Sequence, residues 1–286
     1  MKIEGVLIPL ITPFKDGKVD LASYEKLIRH YSKKGVAGFM PLATTGETPT
    51  LSDYEYQSIL EKTVECNELN LPIYVGFGGN NTEKMTKDIK MLDKYNIKGI
   101  LSVCPYYNRP DQRGIYEHFK RISESTSLDI VLYNIPYRTG RNIENDTIRR
   151  LSELDNIVGV KDACGDFTQT TELLLNRPDN FSILTGEDAF FYSTLMLGGD
   201  GGIMASAHLN TEKYVEVFNK SKQNDYKSAL EIWKQVANMI PLLFEEPNPA
   251  PIKYCLSKTG VIASEALRLP LVPISENLKE KLNKFL

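Results

Sequence analysis

The run NIVGVKDACGD, Asn156 to Asp166, is built of β-branched residues and glycine until it reaches Lys161. A hydrated lysine is protonated and inert toward carbonyls. Held among Val, Ile and Gly at the end of a buried strand, its ammonium loses hydration, its pKa falls, and the freed amine can attack a carbonyl carbon. Most lysines that follow a strand are solvated surface groups. The case for chemistry at Lys161 therefore rests on the residues that close the other apolar runs. Tyr133 and Asn134 end one such run, and Arg138 follows them in YNIPYRTG. A phenol beside a lysine can carry protons while a carbinolamine forms and dehydrates, although Tyr133 also fits a core tyrosine bonded to backbone. A guanidinium can clamp a carboxylate through two parallel hydrogen bonds, and Arg138 fits that use as well as a surface ion pair. Thr44 and Thr45, followed by Gly46, can offer hydroxyls and amides to a carboxylate, or serve as turn and cap residues. Tyr106 and Tyr107 fit an interface as well as a site, and GGDGG, Gly198 to Gly202, reads as a tight turn or a phosphate cradle.

Metal chemistry finds no ligand set in these letters. His30, His118 and His208 form neither HxH nor HExxH, and Cys66, Cys104, Cys164 and Cys255 form no CxxC pair. Reduced thiols and no metal are expected.

The elements that must position these residues follow from periodicity. Eight apolar runs, among them AGFMPLATTGE, PIYVGFGG, GILSVCPYY and IVLYNIPYRTG, each end in Gly, Pro, Thr or Asn and precede an amphipathic stretch. Ser52 and Thr82 are placed as N-caps of two of those helices. Near-continuous apolar strands alternating with helices imply a parallel sheet covered on both faces, and eight such units predict an α/β fold, the (β/α)8 TIM barrel. An open doubly wound sheet is the competing architecture, but no GxGxxG follows the first run. Strand signals cease after Asn210, which predicts a catalytic barrel over residues 1–222 and a C-terminal helical extension over 223–286. Trp233, Leu242, Leu243 and Phe244 are expected to pack that extension against the barrel or a neighbouring subunit.

The 286 residues suffice for a large core. A net charge of -3, with 42% hydrophobic and 25% charged residues, fits an ordinary globular protein and gives no basic surface for nucleic acid. No run is long and apolar enough to span a bilayer, and MKIEGVLIPLITPF lacks the form of a signal peptide. A cytoplasmic location is expected.

TTGE at Thr44–Glu47, YNIPYRTG at Tyr133–Gly140 and GVKDACGD at Gly159–Asp166 resemble the signatures of the dihydrodipicolinate synthase and N-acetylneuraminate lyase superfamily. The resemblance spans nearly the whole chain and implies a barrel with a helical extension. It implies that Lys161 forms a Schiff base with pyruvate, without a separate cofactor, and that Tyr133 is the acid–base phenol. It further implies a proton relay of Thr44 and Tyr107, the latter reaching into a neighbouring subunit. Thr45 would contact the pyruvate carboxylate, helped by backbone at Gly186 and Ile203. Arg138 separates the branches, since the synthases use it for the carboxylate of L-aspartate 4-semialdehyde and the sialic acid lyases usually carry an aliphatic residue. The synthase reaction is therefore expected, in a homotetramer built as a dimer of dimers. The alternatives are a lyase or aldolase for N-acetylneuraminate or a 2-keto-3-deoxy sugar acid, and a non-catalytic pyruvate-binding protein. Lysine-inhibited relatives match at Asn80 and Tyr106 but carry a histidine at Tyr56 and a glutamate at Lys84. A cation in place of that carboxylate implies weak or absent inhibition by L-lysine.

Overall fold

The computed structural model describes residues 2–286. Its strands are β1 (Gly5–Ile8), β2 (Phe14–Lys15), β3 (Lys18–Val19), β4 (Gly38–Phe39), β5 (Tyr74–Gly76), β6 (Gly99–Val103), β7 (Asp129–Asn134), β8 (Ile157–Asp162), β9 (Ser182–Thr185) and β10 (Gly201–Ile203). Eight of them form one sheet in the order β4-β1-β10-β9-β8-β7-β6-β5, and the pair β2-β3 is a small antiparallel hairpin. All the registered pairs of the large sheet are parallel, and helices separate its strands along the chain. A further parallel bridge pairs Phe39 with Ile73. This is the (β/α)8 fold, followed by C-terminal helices as expected.

Contacts group the chain into two compact units. The first joins the residues up to Gly5 with Tyr74–Ile203, and the second joins Val6–Ile73 with Met204–Leu286. In the first, β5 to β10 follow one another in sequence order, their inward and outward residues both buried, as near-continuous apolar strands require. Gly201, with φ at 144°, closes this unit against Gly5: a Cβ there would meet the Gly5 carbonyl oxygen at 2.0 Å. The GGDGG loop is a structural turn. The buried Asp200 carboxylate accepts the Ile183 N–H at 2.8 Å and pairs with Arg177, which leaves an anion rather than an anion cradle.

In the second unit, the helix Asp53–Cys66 begins at Ser52 with a capping box to Glu55. The eighth barrel helix, Thr211–Lys222, is followed by helices Tyr226–Ala237, Ile240–Leu243, Ala250–Lys258 and Glu276–Leu282. Trp233 packs edge-on against Tyr214 of the eighth helix, with ring centroids 6.0 Å apart, and Leu243 is buried, whereas Phe244 is exposed. One cap differs from expectation in the first unit: Asn81, not Thr82, caps helix Thr82–Asp88, because the Thr82 hydroxyl is bonded to Nδ1 of the buried His118 at 2.8 Å.

Candidate active site

Parallel pairing of β7 and β8 sets Tyr133 directly opposite Lys161, so both side chains leave the sheet on one face at adjacent strand ends. The Lys161 Nζ lies 4.3 Å from the centroid of the Tyr133 ring, and both residues are buried. Burial pushes the Lys161 pKa down to about 8. The Asp188 carboxylate opposes that fall and the Arg138 guanidinium adds to it. The amine is thus partly neutral near physiological pH, which an imine-forming nucleophile needs. Gly186 follows β9 directly, and a Cβ there would come 2.7 Å from Cγ and Cε of Lys161. Glycine is required for the lysine to occupy this position.

Arg138 sits in the short helix Pro136–Thr139, which a left-handed Gly140 terminates. The turn is anchored by the fully buried Asn134 at the end of β7. Its Nδ2 donates to Asn142 Oδ1 at 2.8 Å and to the Ile143 carbonyl at 3.2 Å, and its Oδ1 accepts the Ile143 N–H at 2.9 Å. Asp162, opposite Asn134 in the register, is buried and receives the Thr170 hydroxyl at 2.6 Å. Burial raises its pKa. Ile203, at the end of β10, is inaccessible. Tyr107 stands apart. Its backbone is left-handed, at φ 70°, and its ring is 90% exposed.

The threonine pair belongs to the second unit. Thr44–Gly46 forms a single 3-10 turn in which Thr45 is buried. The Thr12 hydroxyl donates to the Gly46 carbonyl at 2.7 Å, and Asn248 Nδ2 donates to Thr45 Oγ1 at 3.1 Å. Within the first unit, Lys161, Tyr133 and Gly186 are in direct proximity, with Arg138 acting on Lys161 electrostatically. Sequence reasoning missed Asp188; its only signal was the GED triplet that closes β9. Among the described residues, no three of His, Cys, Asp and Glu are grouped as metal ligands.

The family model described as the dihydrodipicolinate synthetase family matches residues 2–286. The chain belongs to that family. It is 40% identical over 286 residues to the 4-hydroxy-tetrahydrodipicolinate synthase of Thermotoga neapolitana, covering 99% of this chain and 97% of that one. Among solved structures, the dihydrodipicolinate synthase of Thermotoga maritima superposes with a TM-score of 0.96 at 37% identity, covering 100% of this chain and 98% of the other. The chloride-inhibited dihydrodipicolinate synthase of Acinetobacter baumannii, complexed with pyruvate, gives 0.95 at 35% identity, covering 99% and 98%.

Proposed function

We infer that this chain catalyses the 4-hydroxy-tetrahydrodipicolinate synthase reaction, the condensation of pyruvate with L-aspartate 4-semialdehyde in the diaminopimelate route to L-lysine. The observation that carries the reading is the buried Lys161 amine, set over Tyr133 and depressed to about pH 8, in a chain of this family. The neutral amine attacks C2 of pyruvate to give a carbinolamine, and loss of water leaves the imine. Removal of a C3 proton gives the enamine, whose C3 attacks the aldehyde carbon. The amino group of the second substrate then displaces Lys161 at C2, closing the ring and freeing the enzyme. No cofactor beyond this Schiff base enters.

In this proposal Tyr133 carries the protons, for which its place opposite Lys161 is suited. Thr44 and Tyr107 form the relay, Tyr107 from a neighbouring subunit of a dimer-of-dimers tetramer. The strained, exposed backbone and ring of Tyr107 suit that use. Thr45 binds the pyruvate carboxylate with the backbone of Gly186 and Ile203, and Arg138 binds the carboxylate of the semialdehyde. The division into a barrel, 1–222, and an extension, 223–286, and a cytoplasmic location belong to the same reading. No described helix is long and apolar enough to cross a membrane.

Borohydride added with pyruvate, followed by peptide mapping, tests the mechanism: Lys161 is expected to carry the reduced adduct, and an unmodified Lys161 rejects it. L-lysine is expected to inhibit weakly. Lys84 pairs with Asp88 on the helix that follows Asn80, so a cation stands where the regulated pattern has a carboxylate. Initial rates at sub-millimolar lysine should stay near the uninhibited value.

A further inference from the structure

Glu47 follows the Thr44–Gly46 turn in the left-handed region, at φ 52° and ψ 32°. A residue with a Cβ needs outside restraint to stay there. That restraint comes from the C-terminal segment of the same unit. The Glu47 side chain is inaccessible, and its carboxylate is paired with the equally inaccessible Lys253 ammonium. The backbone N–H of Arg268 donates to the second carboxylate oxygen at 3.2 Å. Lys253 also donates to the Ala266 carbonyl at 2.9 Å and lies 4.2 Å from the centroid of the Phe14 ring. The Arg268 guanidinium lies 4.4 Å from that centroid and forks onto Glu55. Burial lowers the Lys253 pKa to about 8 against the pull of Glu47.

A buried pair of this kind is a poor source of stability, because desolvation consumes most of the attraction. Its geometric effect is specific, since it fixes the residue that ends the threonine turn, two positions after Thr45. Asn248, five residues before Lys253, acts at the other end of the turn. An oxygen that accepts the Asn248 N–H directs its own proton elsewhere, which leaves Thr45 as a donor, the polarity a carboxylate ligand requires. We propose that Lys253 is a positioning residue: through Glu47, and together with Asn248, it holds the Thr45 hydroxyl in the orientation that binds the pyruvate carboxylate. The proposal rests on the Schiff-base reading above, with Thr45 at that carboxylate.

The test uses the full-length chain. Lys253→Met combined with Glu47→Gln removes both charges, so neither is left buried alone. Asn248→Ala, made separately, leaves the pair intact. For each, thermal melting, kcat and the KM of both substrates are measured. The double variant is expected to melt cooperatively, with the KM for pyruvate raised about tenfold and that for the semialdehyde changed by less than about twofold. Asn248→Ala is expected to give the same split. Unchanged KM for pyruvate in the folded variants overturns the proposal, and so do equal rises for both substrates, which signal general loosening. A double variant that cannot fold, with Asn248→Ala unaffected, also overturns it, because the pair then serves stability alone. Failure of the unmodified chain to be trapped by borohydride is a separate result that rejects the Schiff-base reading itself.

Discussion

At the scale of the residue, the consequence of burying Lys161 is a pH dependence whose sign can be worked out. In the proposed mechanism only the neutral amine attacks pyruvate, and burial sets its pKa at about 8. Below that value the neutral fraction falls about tenfold per pH unit, so the rate of imine formation should fall likewise, and above it the rate should level off. The Asp188 carboxylate keeps the proton on the amine. Asp188→Asn should therefore move the rise to lower pH, as single-turnover trapping with pyruvate across pH would reveal; a shift to higher pH would contradict the electrostatic account. Gly186→Ala tests the space around the same amine. Its Cβ would stand 2.7 Å from two carbons of the lysine side chain. Displacement of the nucleophile by about 1 Å should cost roughly 100-fold in kcat/KM, while the melting temperature changes little. Lys161 was legible because a charge interrupts an apolar run. Lys253, in PIKYCL, interrupts one too, but its partner lies 206 positions away at Glu47, and nothing local marks such a pair.

At the scale of the element, the short helix bearing Arg138 depends on Asn134. Three hydrogen bonds from one buried amide tie the end of β7 to Asn142 and Ile143, beyond the helix. Asn134→Ala leaves the Ile143 N–H without this acceptor and should cost roughly 1–3 kcal/mol of stability. It should also raise the KM for the semialdehyde more than that for pyruvate, measured by steady-state rates with each substrate varied in turn. Equal effects would detach the turn from Arg138's role. The alternation of strands and helices was readable from periodicity alone, yet the extent of pairing was not. AGFMPLATTGE reads as one long apolar run, but only Gly38–Phe39 is strand, and the chain folds into a 3-10 turn at Thr44–Gly46. The cap at Asn81 was misread by one residue, since Asn81 and Thr82 are both competent and the choice was made by His118 on another helix.

At the scale of the whole molecule, the proposed role of Tyr107 calls for a second chain. A tyrosine held at φ 70° with 90% of its surface exposed carries backbone strain without burial in return. In the proposed assembly, the ring is covered by, and acts in, the neighbouring subunit, which makes the role testable by complementation. Lys161→Ala and Tyr107→Phe chains are each expected to be nearly inactive. Mixed after reversible dissociation, they form hybrid dimers in which one site has both its own Lys161 and the partner's Tyr107. Random pairing makes half of the dimers hybrids, each with one intact site of two, so activity should recover to about a quarter of the unmodified level. If Tyr107 served its own subunit, every hybrid site would lack one of the two residues, and mixing would restore nothing. A recovery that appears only after subunit exchange, followed by native mass spectrometry of tagged chains, therefore reads out both the assembly and the direction in which the phenol reaches.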